Sequence, residues 1–598
     1  MADRIPERAE LDPKYTWHLE DLYPSDEAWQ ADLKRYQELI PQAGAYAGKL
    51  GSSAQTLYDY LSCSEQANML LENLMHYAEH KGNQDTRVAE YQNMNGQMMS
   101  AYVAFASATA FDTPEILAIS DDEMEAFLAE KPELERYRRL LRDMRRRKKH
   151  ILSDSEEKIL SAAGEMAQSP YNIYSMFADA DIKFPDAVGA DGEAHPLSQG
   201  TFVSCEESED RTLRKDAYEK LYSVFGEHRN TVAASLNAQG KALQFFANAR
   251  KYDSALHAAL DENNVPVEVY RNLIEAVHQN LDKMHRYVRL RKKMLGVDEL
   301  HFYDVYAPLV AGSSRKIPYE EACDTVVKAM APLGEEYQQL LRKGMDEGWI
   351  DVYQNVGKRS GAYSAGAHVH PFVLLNYTGT LDSQFTLAHE MGHALHSYHS
   401  NRTQSFVDSD YVIFVAEVAS TCNEALLMEY LLERTSDRRE RAALINHFLE
   451  QFKGTLYRQT MFAEFELKCG ELIGQGQTLT ADTLCSMYRE LNEQYFGPDM
   501  IVDDQIALEW ARIPHFYMNY YVFQYATGYA AAIALSRRIL QGGEQERQDY
   551  LNFLSGGCSM DPISLLKGAG VDMSTTEPVT EALKLFDTLL DEMESLIG

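Results

Sequence analysis

The sequence is poor in cysteine and in long apolar runs. Seven cysteines are scattered along 598 residues, none of them in a Cys-x-x-Cys pair, which argues against a disulfide framework and predicts reduced thiols in a cytoplasmic protein. The opening residues, MADRIPERAELD, contain no apolar segment, so we expect no secretory signal. No stretch approaches the roughly 20 apolar residues of a membrane span, and we therefore expect a soluble protein without a membrane partner.

Positive charge is also scarce. Lys and Arg total 57 against 91 Asp and Glu, which gives a formal net charge of −34. Nucleic-acid binding depends on clustered Lys and Arg, so this balance argues against a nucleic-acid partner. The basic run RRRKKH at 145–150 is interpreted as a solvated helix end. Surface acidity indicates solubility and leaves the oligomeric state open.

Helical periodicity dominates what is present. The composition is globular, with 45% hydrophobic and 25% charged residues, and the apolar residues recur mostly at helical spacing. Ser25 is placed to cap a first helix, with acidic residues in its first turn. Further amphipathic helices are predicted at 54–82, 86–108 and 121–143. The sequence therefore predicts a mainly α fold.

A break in this pattern at 181–202 suggests a domain boundary. The segment contains proline, glycine and the turn signal Asp191-Gly192, which indicates a short hairpin or a linker. We therefore predict an N-terminal helical domain at 1–195 and a second domain at 196–598.

Residues 351–380 form a second interruption. Gly357, Gly361 and Gly366 precede a β-like run from Phe372 to Tyr377. The pattern predicts a mobile glycine-rich loop followed by a strand.

The segment TLAHEMGHALHSYHS, residues 386–400, contains the motif H-E-x-x-H. On a helix that Asp382 is placed to cap, His389 and His393 are one turn apart and face the same way. Two imidazoles at this spacing suit zinc, and Glu390, offset around the helix, can reach a water on the metal. The alternative is a helix with histidines buried in the core. Gly392 disfavours that alternative, because a mid-helix glycine suggests close approach of another element.

The next predicted helix, 409–432, offers a third ligand. Its residues are strongly apolar, yet Glu417, Thr421 and Glu424 share one face. Buried carboxylates are costly unless paired or bound to metal. Glu417 as a zinc ligand, with Glu424 orienting a ligand histidine, satisfies both carboxylates; the alternative is pairing with Arg or Lys.

Two further histidines continue the first helix. His396 lies seven residues after His389, near the same face, and is read as a partner of the ligands or as a surface residue. Neither His396 nor His399 is predicted to be a ligand.

Together these residues resemble the thimet-type oligopeptidases, and more closely their bacterial oligoendopeptidase F branch. HEMGHALH is followed, 24 residues after His393, by the glutamate of FVAEVASTCNE. The further matching segments are YTWHLEDLYPSDEAW, HILSDSEEKIL, GKRSGAYS and ARIPHFYMNYYVFQYATGY. The resemblance covers nearly the whole chain.

The resemblance implies a large helical ellipsoid with a deep substrate channel, and a small β element beside the H-E-x-x-H helix. It implies a catalytic domain at 196–598 with one zinc per chain, ligands His389, His393 and Glu417, and Glu390 as base. It also implies a histidine and tyrosines that bind the substrate carbonyl. These match His515, Tyr521 and Tyr525, with Tyr529 and Tyr520 as alternative tyrosines. Tyr521, Tyr525 and Tyr529 are spaced four residues apart, which predicts that they share one face of a helix.

The expected activity is metal-assisted hydrolysis of internal bonds in short peptides. The strand at 372–377 is expected to pair with the extended substrate, and the glycine loop to close over it. Asn376, Tyr377 and Tyr529 are the predicted substrate-binding residues.

Other functions remain open at this point. A metallocarboxypeptidase would need a cation for the terminal carboxylate, such as Arg359 or Arg512. A catalytically inactive peptide-binding protein and a helical scaffold are the alternatives of another class, but neither requires Glu390.

Overall fold

The chain is mainly α-helical, as the sequence predicted. The computed structural model describes residues 4–310 and 315–597. Up to residue 278 the helices are α1 (Asp26–Gly44), α2 (Ala54–Gln84), α3 (Ala89–Thr109), α4 (Asp112–Ala118), α5 (Asp121–Glu130), α6 (Arg138–Arg146), α7 (Asp154–Ala167), α8 (Ser169–Ser175), α9 (Gln199–Glu206), α10 (Arg211–Ala249), α11 (Ala255–Asp261) and α12 (Val267–His278).

The remaining helices are α13 (Leu281–Leu295), α14 (Tyr319–Ala329), α15 (Glu335–Asp346), α16 (Leu381–Thr403), α17 (Ile413–Arg434), α18 (Arg438–Gln451), α19 (Arg458–Gly474), α20 (Ala481–Phe496), α21 (Phe523–Gln541), α22 (Glu544–Leu554), α23 (Pro562–Gly568) and α24 (Glu577–Ile597). Over the part of the chain that the structure describes, none of these helices combines the length and the apolar character needed to cross a bilayer.

Local chemistry accounts for the helix boundaries. Ser25 caps α1 as predicted, since its Oγ accepts the N–H of Ala28 at 3.3 Å. The single helix predicted at 121–143 is wrong, because it is split into α5 and α6 by a 3₁₀ segment, Pro132–Tyr137. Proline lacks an N–H and disfavours helical geometry at the preceding residue, so α5 ends before it.

The strands are short. The predicted hairpin is present as β1 (Ala187–Val188) and β2 (Ala194–His195), with Gly192 at φ +80° in the turn. Strand β3 (Leu300–His301) pairs in parallel with β7 (Met500–Ile501). A three-stranded sheet has the order β4 (Ile350–Asp351), β6 (Phe372–Leu374), β5 (Tyr363–Ala365). In that sheet β6 is parallel to β4 and antiparallel to β5.

The chain divides into two compact units, neither of which is continuous. The first contains Met1–Lys149, Ser314–Leu427 and Leu535–Gly570, and the second contains His150–Ser313, Met428–Ala534 and Val571–Gly598. The predicted boundary at 195 lies within the second of these units. The first unit is completed by segments hundreds of residues later, and local patterns do not report such packing.

The first unit holds the three-stranded sheet and α16. Phe372 and Leu374 of β6 are fully buried in an apolar cluster with side chains of α1, α2 and α3, including Trp29 and Leu74. Burial of such large apolar side chains is the main stabilising contribution to folding. It fixes the sheet against α2. Helix α16 packs against strands β5 and β6 of the same sheet.

Candidate metal centre and active site

Helix α16 carries the H-E-x-x-H motif. The predicted cap Asp382 is wrong, because Thr380 is the N-cap residue and its Oγ1 accepts the N–H of Ser383 at 3.1 Å. Asp382 lies in the first turn instead, where a negative charge favours the helix dipole. The helix is therefore anchored two turns before its first histidine.

A glycine lets α16 and α17 approach closely, as the sequence suggested. A Cβ placed on Gly392 would lie 2.6 Å from the Cα of Ser420 and 2.8 Å from the carbonyl oxygen of Ala419. Both contacts are with the backbone of α17. Further along the same contact, the side-chain amide of Asn423 donates to the carbonyl oxygen of Ala388 at 3.2 Å. The spacing of the two helices is therefore set by backbone packing.

Three predicted ligand atoms meet at this contact. His389 Nε2 lies 3.2 Å from His393 Nε2 and 3.3 Å from Glu417 Oε2. His393 Nε2 lies 3.6 Å from the same carboxylate oxygen. Tetrahedral zinc with bonds of about 2.0–2.1 Å holds neighbouring ligand atoms about 3.3 Å apart. Among the described residues, His389, His393 and Glu417 form the one such group of three close metal-binding side chains.

Glu424 lies behind the first ligand. Its Oε1 is 2.6 Å from His389 Nδ1. A proton on Nδ1 that is donated to Glu424 leaves the lone pair of Nε2 available for a metal ion. Burial lowers the pKa of His389, but hydrogen bonds to Glu417 and Glu424 outweigh it and raise that pKa well above its usual value. The pKa of Glu417 is held low despite burial, because both histidines hydrogen-bond to it.

Glu390 is buried beside this group, with 7% of the residue exposed. Burial raises the pKa of its carboxyl group, against the opposing effect of the two histidines. Neither oxygen of its carboxylate belongs to the group of three ligand atoms. A buried carboxylate next to a metal site has the properties of a general base.

His396 is fully buried, so its reading as a surface residue is wrong. Its ring stacks on Tyr411 with centroids 3.8 Å apart. Within the described residues neither ring nitrogen has a hydrogen-bond partner, and burial lowers its pKa to about 3. The ring of His399 stacks at 6.2 Å on that of Tyr337. Neither histidine belongs to the ligand group.

The glycine-rich loop is hydrogen-bonded to neighbouring segments at several points, and its closure over substrate stays a prediction. The carbonyl oxygen of Gly357 accepts the N–H of Thr86, and the N–H of Arg359 donates to the carbonyl oxygen of Asn83 at 2.9 Å. The side chain of Lys358 is completely buried and lies 2.6 Å from Asp351 Oδ1. These contacts attach the loop to the end of α2 and to β4.

Strand β6 does not have a free edge, so the predicted pairing of 372–377 with substrate is wrong. Residues 372–374 are paired on both sides, with β4 and with β5, and the N–H groups of Leu375 and Tyr377 donate to residues 351 and 352. The side-chain amide of Asn376 donates to the carbonyl oxygens of Arg359 and Gly361. The hydroxyl of Tyr377 donates to a backbone carbonyl at 2.9 Å and is buried.

The free edge belongs to β5, a strand that the sequence pattern did not predict. Val373 donates its N–H to the carbonyl oxygen of Trp349, so Val373 faces β4. Ser364 lies opposite Val373, and strand alternation therefore directs its N–H and C=O away from the sheet. Along the described chain no further strand pairs with β5. The available signal was the short run 362–365 between Gly361 and Gly366.

The second unit contains the histidine and tyrosines that the resemblance pointed to. Between ring centroids, His515 is 6.3 Å from Tyr521 and 6.1 Å from Tyr525, and the two tyrosine rings are 5.3 Å apart. Tyr520 and Asn519 both have positive φ, 58° and 51°, and α21 begins only at Phe523. Tyr521 therefore precedes the helix, and the expected common helix face for 521, 525 and 529 is wrong.

The other two tyrosines, Tyr520 and Tyr529, are buried among core side chains. Tyr529 is 4% exposed and packs on Phe452 with ring centroids 5.1 Å apart. The backbone N–H of Tyr520 donates to Glu466 Oε1 at 2.6 Å, and its ring is also buried. Packing in the core thus accounts for both side chains, and the substrate-binding role predicted for Tyr529 has no support from its position.

Arg512 and Arg359 are the two arginines that a carboxypeptidase could use to bind a terminal carboxylate. The Arg512 guanidinium lies 3.5 Å from Glu509 Oε1 and stacks over Phe202 at 4.9 Å. Arg359 lies over the ring of Tyr363 at 5.4 Å.

The chain matches two protein-family models and known oligopeptidases. The family model "Peptidase family M3" matches residues 204–585, and the model "Oligopeptidase F" matches residues 115–184. Oligopeptidase PepF of Bacillus subtilis is 45% identical over 597 residues, which cover 100% of this chain and 89% of the relative.

Solved structures give the same result. A crystal structure from Chlamydophila abortus has a TM-score of 0.94 at 36% identity, covering 99% of this chain and 100% of that one. Oligoendopeptidase-F from Enterococcus faecium has a TM-score of 0.76 at 35% identity, covering 96% and 99%. The chain therefore belongs to peptidase family M3, in its oligoendopeptidase F group, and is a metalloendopeptidase.

Proposed function

We propose that this metalloendopeptidase uses one zinc ion per chain to hydrolyse internal bonds of short peptides. The observation that carries the proposal is the near-equal spacing of three ligand atoms, 3.2, 3.3 and 3.6 Å apart on His389, His393 and Glu417. This triangle fits three corners of a tetrahedral zinc site and leaves the fourth corner for water or substrate. When bound, the ion supplies Lewis acidity and a lowered pKa for its water.

Glu390 is the proposed general base. It is adjacent to a ligand histidine in sequence and is buried beside the three ligand atoms without being one of them, so it is available to accept a proton from water at the fourth corner. Its carboxylate takes a proton from the attacking water and passes that proton to the nitrogen of the departing amine. Glu424 supports the reaction indirectly, by keeping His389 in the tautomer and orientation that a ligand needs.

The free edge of β5 is the proposed binding surface for the peptide backbone. An extended peptide placed beside β5 exchanges hydrogen bonds with the N–H and C=O of Ser364, in the manner of an added strand. Main-chain pairing of this kind is independent of side-chain identity, which suits an enzyme that acts on many short peptides.

His515, Tyr521 and Tyr525 are proposed to bind the substrate carbonyl and the oxyanion that forms from it. The resemblance supports this role, and the clustering of the three rings in the second unit is compatible with it. A hydroxyl directed at a developing oxyanion typically contributes about 10²–10³ in kcat.

Cleavage of internal bonds is favoured over removal of C-terminal residues. A carboxypeptidase needs an available cation for the terminal carboxylate, and Arg512 is already engaged by Glu509 and by the hydroxyl of Tyr222. An inactive peptide-binding protein requires no base, so the buried Glu390 favours catalysis.

The test separates metal binding from proton transfer. The Glu390→Gln variant is expected to bind one zinc per chain with the affinity of the wild type, while kcat for an end-blocked peptide falls by about 10²–10⁴. Zinc stoichiometry is measured by atomic emission on dialysed protein, and kcat by chromatography of the products. A Glu390→Gln variant with undiminished kcat would sink the proposed mechanism.

A further inference from the structure

The peptide-binding edge ends directly on the metal-ligand helix. Gly366 follows β5, and a Cβ placed on it would lie 2.5 Å from Ser397 Oγ and 2.6 Å from Ser397 Cβ. Ser397 is on α16, four residues after His393 and eight after His389. Residues at steps of four share a helix face. The strand therefore rests on the ligand-bearing face of α16, one turn beyond the second histidine.

Two further hydrogen bonds hold this contact. The side-chain amide of Asn401, one more turn along α16, donates to the carbonyl oxygen of Gly366 at 3.0 Å. The hydroxyls of Ser397 and Tyr411 are 2.9 Å apart, and Tyr411 lies two residues before the start of α17, which carries Glu417. One small contact thus joins the strand to both ligand helices.

Hydrogen bonds to α2 hold the residues on the other side of β5. The hydroxyl of Tyr363 lies 3.0 Å from His80 Nδ1 and accepts the side-chain amide of Asn83 at 2.8 Å. After the strand, Glu72 accepts the backbone N–H of His368 at 2.9 Å. Because α2 fixes one side, the distance from the strand to the metal ligands is determined where Gly366 meets α16.

We propose that Ser397 and Asn401 are positioning residues for catalysis, and that their contact with Gly366 sets the distance between the bound peptide backbone and the metal ligands. The inference rests on the proposed pairing of substrate with β5. Glycine is required at 366 because any side chain would displace the strand from α16. A displacement of about 1 Å is enough to cost about 10²-fold in rate when it misplaces the reacting carbonyl.

The test adds a methyl group at the contact and then makes room for it. In Gly366→Ala the new Cβ lies 2.6 Å from Ser397 Cβ, well short of an ordinary 3.4 Å contact, so the strand moves outward. We expect KM to rise and kcat to fall, with kcat/KM lower by about 10–100-fold and zinc affinity unchanged. Ser397→Gly removes the opposing atoms, so the double variant recovers activity relative to Gly366→Ala. A double variant no more active than Gly366→Ala would overturn the inference.

Removing the side-chain amide of Asn401 gives a second, independent measurement. Asn401→Ala is compared with Thr403→Ala, which lies on the same turn and loses only a bond to the carbonyl oxygen of His399. We expect Asn401→Ala alone to raise KM for peptides, and both variants to bind zinc as the wild type does. Equal KM values for the two variants would contradict the positioning role of Asn401.

A set of end-blocked peptides, each N-methylated at one position, separates the two hypotheses. With the wild type, N-methylation at one position of the peptide should raise KM about tenfold, because a backbone hydrogen bond to Ser364 is lost. In Gly366→Ala that penalty should shrink, because the strand has already moved. No sensitive position in the wild type would contradict pairing with β5 itself. A penalty that is identical in both proteins would contradict only the role of Gly366, Ser397 and Asn401.

Discussion

Replacing Gly392 by alanine should separate the ligand helices and weaken metal binding. The new Cβ would lie 2.6 Å from Ser420 Cα, whereas ordinary contacts begin at 3.4 Å. Since the opposing atoms are backbone, no side-chain rotation relieves the clash. The helices must therefore move apart by about 0.8 Å if contacts in a close-packed interior return to their normal length.

That movement acts on the ligand triangle. Glu417 is on α17 and the two histidines are on α16, so the separations of 3.3 and 3.6 Å between them lengthen, while the 3.2 Å between the histidines does not. Both edges then exceed the roughly 3.3 Å that tetrahedral zinc allows. We expect zinc affinity to fall by at least about 100-fold, since disturbing even the partners of ligands costs about 10–100-fold.

The assay is zinc competition against a chromophoric chelator, with circular dichroism to confirm that the helices are intact. Gly96→Ala is the matched control, because Gly96 lies within α3 and a Cβ there meets nothing within 4 Å. It should leave zinc affinity unchanged and stabilise the helix by about 0.5–1 kcal/mol. A folded Gly392→Ala variant with the wild-type zinc affinity would refute the reasoning.

Three further outcomes follow from buried charges. Glu424→Ala removes the partner of His389 Nδ1, so zinc affinity by chelator competition should fall about 10–100-fold, and an unchanged value would contradict the assignment. Lys358→Met leaves the buried Asp351 without one of its cations, which should cost about 3 kcal/mol and lower the melting temperature; equal melting curves would count against it. Burial raises the pKa of Glu466 from 4.5 to about 8, so the folded state keeps a proton that the unfolded chain releases, and stability falls as pH rises through this window. The melting temperature of Glu466→Gln minus that of the wild type should therefore increase from pH 5 to pH 8. A difference that stays constant with pH would contradict this prediction.

The site was predictable wherever it depends on local spacing. The positions of His389 and His393 on one face follow from the helical repeat, and the two glutamates on one face of the next apolar helix follow from the same rule. The cost of burying Glu417 and Glu424 without partners then pointed to the histidines. The structure places all four side chains at one helix contact.

The errors concern long-range partners and unusual backbone. The run from Phe372 to Tyr377 is a strand, but only the fold shows that β4 and β5 occupy both its edges. Tyr521 matches a helical spacing, yet positive φ at Asn519 and Tyr520 delays the helix, and residues other than glycine give little sequence signal for that conformation. The hydrogen bonds that join residues 83 and 86 to the glycine loop also connect positions far apart in sequence, which a local pattern does not reveal.

The most direct test of the central claim is a mass-spectrometric cleavage map. The wild type and the Glu390→Gln variant are incubated with end-blocked short peptides and with a stably folded protein. We predict cuts at internal bonds of the peptides by the wild type alone, and none in the folded protein. Cuts by the Glu390→Gln variant at the wild-type rate, or no internal cuts by zinc-loaded wild type, would contradict the account.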